Sequence, residues 1–439
     1  MKYCFRRRLL AGLILSTAAA SSAQTLLDFS TFLSPHTTQE QRLAFRQDLL
    51  ENTINKNLQK PLTPENEASW MGAFWAMELA LHKSALTLQA LKHALTNYSA
   101  RSDAFQRAAL EAAYTLYPTE LRAEINDFAQ HTEHPKLFAM AVHYLSRASA
   151  KNKNRHFLGL LQKKFPDWRI NPILLCLHED LENTAGARWS KRPPLVDLLT
   201  QRFGDSVTVI YSFQRHDRNF PGLTVVQKPH GKFVRLESGN LFAISHLARA
   251  ISNLPDYLTN GNSPQGILSI QNIYQSENVF IGRTPALNMF LPVEGSVQKF
   301  FHDPAAADTI WKKEMYARLL PASWKNYAPI YRAYHAGAAG RSEIVSHGTT
   351  IDPDFYVGQP YFPNTPSLGC LTAKEIWSPV DGTCLVSDQA ALVNAYLGAG
   401  GKTGYLVLVE IDDQKSPVVL DDILFDLLQA EARVSAAAR

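Results

Sequence analysis

Hydrophobic positions along this chain change their period near residue 205. From residue 38 to about 203 they recur at helical spacing. Leu43, Phe45, Leu49 and Leu50 mark a first segment, and Trp70, Phe74, Trp75, Met77 and Leu79 a second. Thr38 ahead of Gln39-Glu40, and Pro64-Glu65 ahead of the tryptophans, are helix-start signals. Further periodic stretches cover 84–97, 103–116, 118–129, 135–149 and 154–164. No fixed repeat length relates them, so an irregular, solenoid-like all-α domain is expected over 24–205, with its tryptophans in the core.

Beyond Pro193-Pro194 the pattern shortens to β-type runs: Val207-Thr208-Val209-Ile210-Tyr211, Leu223-Thr224-Val225-Val226 and Phe233-Val234-Arg235-Leu236. Leu241 to Leu254 reads as a helix. Ile267-Leu268-Ser269-Ile270 reads as a strand after a Ser-Pro-Gln-Gly turn, and Tyr405 to Ile411 is the clearest buried strand. Residues 295–328 return to helical spacing with Trp311, Met315, Leu319 and Trp324. They form an insertion whose functional version is a lid over an active site and whose structural version packs outside the sheet. A terminal helix lies within 415–439. The predicted fold class is α+β multidomain: an N-terminal all-α helical domain, then a mainly-β domain over 206–414 with a helical insertion at 295–328.

The N-terminus changes how the charge is counted. Lys2 and Arg6-Arg7-Arg8, the apolar run Leu9 to Ala20 and Ser21-Ser22-Ala23 have the order of a secretory signal peptide over 1–23. Cys4 precedes the apolar run and is no lipoprotein site. The whole chain has 44 basic and 40 acidic residues; removing the four basic residues of 1–23 leaves 40 of each. A mature chain of zero net charge lacks the positive field that nucleic acid or anionic lipid demands. No later run reaches the roughly eighteen apolar residues of a membrane span. The expected location is the periplasm or the medium outside a bacterial cell.

Three cysteines follow the signal: Cys176, Cys370 and Cys384. An odd count in an exported chain leaves at least one thiol free. Cys176 sits in the apolar run Ile173 to Leu177 and reads as a buried core residue. His178-Glu179-Asp180 lacks a second spaced ligand, and neither His-Glu-x-x-His nor Cys-x-x-Cys occurs, so no metal and no cofactor are expected. Gly398 to Gly404 imitates a phosphate loop but has Tyr396 where the first glycine is needed. Ser296-x-x-Lys299, Ser387-Asp388-Gln389 and Lys402-Thr403-Gly404 imitate the penicillin-binding motifs but leave too little chain between the last two.

The stretch 343–374 carries the chemistry. A β-type start, Glu343-Ile344-Val345, delivers His347-Gly348. A loop rich in Pro, Gly, Asp and Asn follows and ends in Pro366-Ser367-Leu368-Gly369-Cys370. A cysteine and a histidine that a fold can bring together make a nucleophile and its base. Gly369 suits a tight turn whose backbone N–H groups, at Gly369 and Cys370, face an oxyanion. A Cys370–Cys384 disulfide is the structural alternative.

That stretch resembles the L,D-transpeptidase (YkuD-like) family. His347-Gly348, a spacer, and Ser367-Leu368-Gly369-Cys370 match its pattern at all but one position, with Leu368 where the family has a second histidine. Leu371-Thr372 stands where many members have Val-Arg. Ser263-Pro264-Gln265-Gly266 is similar to a second family signature, with Ser for Thr. The resemblance covers roughly 206–413 and implies an L,D-transpeptidase-like catalytic domain there. It also implies the reaction: Cys370 forms a thioester with a peptidoglycan stem peptide, His347 is the base, and the Gly348 carbonyl orients its ring. Ser367, Thr372 and Tyr361 are the expected substrate-binding residues. The acceptor is left open between an amine (transpeptidation) and water (carboxypeptidase or hydrolase activity). The alternative from another class is a non-catalytic wall-binding scaffold, with the helical domain contacting a protein partner.

Overall fold

The computed structural model describes residues 27–147, 152–182 and 192–437; the signal-peptide reading of 1–23 and Cys4 lie outside them. The first part is built of helices α1 (Gln39–Asp48), α2 (Glu67–Leu79), α3 (Ala85–Thr96), α4 (Asp103–Leu116), α5 (Arg122–His131), α6 (Pro135–Ser146), α7 (Asn152–Lys164) and α8 (Pro172–Glu182). Local chemistry sets several starts. Thr38 caps α1, a Ser84–Thr87 capping box opens α3, Ser102 caps α4, and Pro135 occupies the first turn of α6. Helix α2 is the hub, with Trp70, Phe74, Met77 and Leu79 all buried and Phe74 tilted against Phe105 of α4.

The strands are β1 (Thr208–Arg215), β2 (Gly222–Gln227), β3 (Ile244–Leu247), β4 (Gly266–Tyr274), β5 (Ala286–Phe290), β6 (Val345–His347), β7 (Leu371–Ala373), β8 (Glu375–Trp377), β9 (Cys384–Ser387) and β10 (Gly404–Asp412). Eight of them close into a barrel in the order β1-β10-β4-β5-β6-β7-β3-β2, and β8-β9 form a separate ribbon. The β1–β10 and β6–β7 pairs are parallel, the other barrel pairs antiparallel. Every residue of β1 is buried, because both faces of the strand are covered.

Those faces belong to different cores. Ile210, Val226, Leu268, Ile270, Leu406 and Leu408 join a core that continues into Phe74, Phe105 and Phe138 of the helical part. Tyr211, Val225, Ile267, Tyr405 and Val407 face a second core. That core is closed by α9 (Leu195–Leu199), by the segment containing α10 (Val297–Phe301) and α11 (Lys313–Ala317), and by α14 (Leu424–Ala437). Between the insertion and the later strands come α12 (Arg332–Ala338) and α13 (Asp388–Gly398), the latter touching β2, β3, β5 and β7.

This corrects the predicted fold class. The expectation of an all-α domain followed by a mainly-β L,D-transpeptidase-like domain does not describe the second part. It is a closed mixed barrel with helices between its strands, not clearly the mainly-β fold of that family. The physical reason is that both barrel faces need cover. The Phe300, Tyr316, Leu320 and Trp324 side chains of the 295–328 segment supply it on the second core. Leu241 to Leu254 is also corrected: it holds no helix, and only Ile244–Leu247 is strand. Those four residues pair as β3 between β2 and β7, where the ladder outweighs the local helical spacing.

Candidate active site

The site forms where β6 and β7 run parallel. Ser346 pairs with Leu371 and His347 with Thr372. Extending that register by one residue sets Cys370 beside Val345, and the Val345 N–H donates to Cys370 Sγ at 3.4 Å. His347 lies two residues beyond Val345 on β6, so its Cα is about 8 Å from that of Cys370 by strand spacing and rise. No hydrogen bond joins Sγ to the imidazole among the described residues; Sγ lies 3.5 Å from the Glu343 carbonyl.

His347 is buried, and its Nδ1 hydrogen bonds the Gly348 carbonyl. A carbonyl only accepts, so Nδ1 carries the proton and Nε2 holds the free lone pair. Burial pulls the ring down to about 4, against the raising effect of the Gly348 carbonyl. At neutral pH the ring is an uncharged base. Gly348 has no room for a side chain, since a Cβ would lie 2.1 Å from the Glu375 carboxyl carbon. That carboxyl accepts from Thr349 N–H (2.9 Å) and Ser387 Oγ (2.7 Å) and is pushed up to about 7 by burial.

The turn that carries Cys370 is fixed from three sides. Ser367 Oγ accepts from Gly369 N–H at 3.1 Å and donates to the Cys370 carbonyl at 2.9 Å. Ser263 Oγ donates to the Gly369 carbonyl at 2.8 Å, so the two stretches that carry the family resemblance meet. Gly369 has φ +121°, and a Cβ there would lie 2.3 Å from Arg341 Nη2 and 2.6 Å from the Gly261 carbonyl oxygen. Cys370 is half-buried, and burial raises its thiol, while the Val345 N–H, Arg341 and Ser367 act to lower it.

Several expected roles are placed differently. Gly369 N–H is committed to Ser367, which leaves the Cys370 N–H as the backbone donor of the turn. Ser367 spends its hydroxyl on that turn. Thr372 is buried, with Oγ1 donating to the Thr365 carbonyl at 2.7 Å. Tyr361 is fully buried beneath the Arg249 guanidinium. Ser367 and Thr372 tie down the loop before β7, Tyr361 is packed within it, and none of the three leaves its side chain open to a substrate. His335 lies buried in α12, and burial lowers it to about 4. Cys176, Cys370 and Cys384 are all free thiols.

Arg341 and Glu375 were not legible as site residues, because their role depends on what tertiary packing sets beside them. His246 on β3 was missed likewise. It sits in a buried polar chain with Thr224 Oγ1 (2.8 Å), Ser212 Oγ (3.3 Å) and Ser346 Oγ (3.2 Å), one residue from His347. A cavity of about 330 Å³ lies apart from the pair. Phe45, Phe280, Ile351 and Phe355 wall it and neither Cys370 nor His347 lines it. Among the described residues there is no cluster of three or more metal-binding side chains, and no helix is long and apolar enough to cross a membrane. No protein-family model, no curated protein and no solved structure matches the chain.

Proposed function

We propose that this protein is a cysteine acyltransferase of the L,D-transpeptidase type, working on peptidoglycan stem peptides in the bacterial envelope. The observation that carries the reading is the thiol of Cys370 on a glycine turn, held against the β6 strand that ends in His347, whose Nδ1 is tied to the Gly348 carbonyl. That tie supports a neutral imidazole with Nε2 free to take a proton, as the base of a thiol must be.

The steps balance without a cofactor. The thiol proton passes to His347 Nε2 as sulfur bonds to the carbonyl carbon of the stem peptide. The C=O pair moves onto oxygen, and the Cys370 N–H donates to it. Collapse restores the carbonyl and breaks the C–N bond, and His347 returns its proton to the leaving amine. An acceptor amine then attacks the thioester, loses its proton to His347 and releases the thiolate, which is reprotonated. Water in the same place gives a trimmed stem instead of a crosslink.

The competing reading is a non-catalytic scaffold. It is favoured by the raised thiol and by the missing Cys370–His347 hydrogen bond in the resting site. Incubation with purified tetrapeptide muropeptides, with and without an added amine acceptor, separates the readings by product mass. Exchange onto the amine indicates transpeptidation, loss of the terminal residue alone indicates hydrolysis, and unchanged substrate under both conditions refutes the enzyme.

A further inference from the structure

Cys370 has no cation on its own strand pair, and the position after it that many relatives of the resembled family fill with arginine holds Thr372. A cation reaches it from another element. Arg341 follows α12, is 7% exposed, and makes no ion pair with a carboxylate among the described residues. Its Nη1 donates to two backbone carbonyls, Asp256 at 2.5 Å and Asn262 at 2.7 Å. Nη2 and Nε donate to no protein group among the described residues, and Nη2 is pressed against Gly369. The segment that grips Nη1 also grips the nucleophile turn, through Ser263 Oγ to the Gly369 carbonyl and through the Gly261 carbonyl beside Gly369. One rigid piece of chain therefore fixes the guanidinium and the thiol relative to each other.

Burying an arginine with carboxylates nearby but none in direct contact is costly, and such an arrangement suits a charge that has work to do. We infer that Arg341 is the charge-stabilising residue of the Cys370 site, its free guanidinium edge stabilising the thiolate and then the oxyanion of the tetrahedral intermediate. The inference rests on the acyl-transfer reading. Arg341 neither gives nor takes a proton: the thiol proton goes to His347, and the negative charge that appears on oxygen is shared by the Cys370 N–H and the guanidinium. Burial lowers Arg341 to about 10, which leaves it charged at neutral pH, and Asp256, then Cys370, Glu111 and Glu294 favour its charge. The other charged or titratable groups around Cys370 are Glu343 and Tyr274, with Glu294 accepting the Glu343 N–H at 2.8 Å. Glu343 opposes thiolate formation, and Arg341 offsets it.

The test is the pH dependence of Cys370 alkylation by iodoacetamide, read by peptide mapping, with muropeptide kcat and KM measured alongside. Arg341→Gln should raise the thiol midpoint by about one unit, slow alkylation at fixed pH about tenfold, and lower kcat more than it raises KM. Arg341→Lys should hold the midpoint within about half a unit of wild type. A structural role alone would lower the unfolding midpoint and leave the alkylation midpoint where it was, which overturns the inference. If Arg341→Gln does not fold, Arg341→Lys decides, since a full-unit shift with the charge retained also overturns it. The two proposals fail separately. Wild-type turnover through Cys370 with an unmoved midpoint in Arg341→Gln removes the role of Arg341. A moved midpoint in a wild type without turnover removes the acyl-transfer reading.

Discussion

Replacing Gly369 with alanine tests whether the turn around Cys370 is as tightly built as its contacts indicate. The backbone there has φ +121°, a region in which a side chain costs about 1–3 kcal/mol. The new methyl group would also lie 2.3 Å from Arg341 Nη2 and 2.6 Å from the Gly261 carbonyl, well inside normal contact. The carbonyl cannot retreat cheaply. Its own residue donates to Leu258, and the neighbouring Ser263 is bonded to both Ala248 and Gly369. The turn must therefore move, and a shift of about 1 Å at a reacting atom costs on the order of 10²-fold in rate. The expected result is a loss of roughly 2–4 kcal/mol in urea unfolding, with a fall of about 10²-fold in muropeptide turnover. Gly398→Ala at the end of α13 is the control. A Cβ there meets nothing within 4 Å, so stability should be unchanged or rise by up to about 1 kcal/mol. A Gly369→Ala protein within twofold of wild-type turnover and within about 0.5 kcal/mol in stability would refute the reasoning.

Three further outcomes are expected. Glu375 is raised to about 7 in the folded protein, so its protonated form stabilises the fold below the unfolded value near 4.5, and that contribution is lost as pH rises through 7. Glu375→Gln should therefore match wild type near pH 5 and exceed it by on the order of 2–3 kcal/mol near pH 8, as read by urea midpoints; equal midpoints at both pH values would contradict it. Arg332 joins Asp180 of α8 to Asp256 of the segment that holds Arg341, and Arg332→Met should cost about 3–5 kcal/mol in unfolding, where a change under 1 would show that the pairs carry little. Cys370 should alkylate before the other two described cysteines at pH 8, since burial pushes Cys384 up to about 12 and Cys176 higher still; first labelling of either would contradict the assignment.

The sequence was most readable where a structure is set by neighbours along the chain. Hydrophobic spacing alone located α3, α4 and α6 to within a few residues, and Ser84, Ser102 and Pro135 stand at their starts. The barrel was not readable, because β3, β6 and β7 have three or four residues each and are defined only by partners far away in the chain. His347-Gly348 and Gly369-Cys370 stood out through their local glycines. The surrounding hydroxyls misled, since Ser367 and Thr372 look available in a loop but spend their bonds holding it. Arg341 gave no local signal. Its meaning comes from two carbonyls about eighty residues upstream and from a glycine on another strand's approach.

The acyl-enzyme itself tests the central claim most directly. Wild-type protein mixed with a tetrapeptide muropeptide, acid-quenched within the first turnovers and digested, should yield one peptide carrying the stem's mass less its terminal residue, attached at Cys370. Cys370→Ser should yield no such peptide and no product, while Cys176→Ser and Cys384→Ser should yield both. Product formed at the wild-type rate by Cys370→Ser, or an acyl mass mapped to any other residue, would contradict the account.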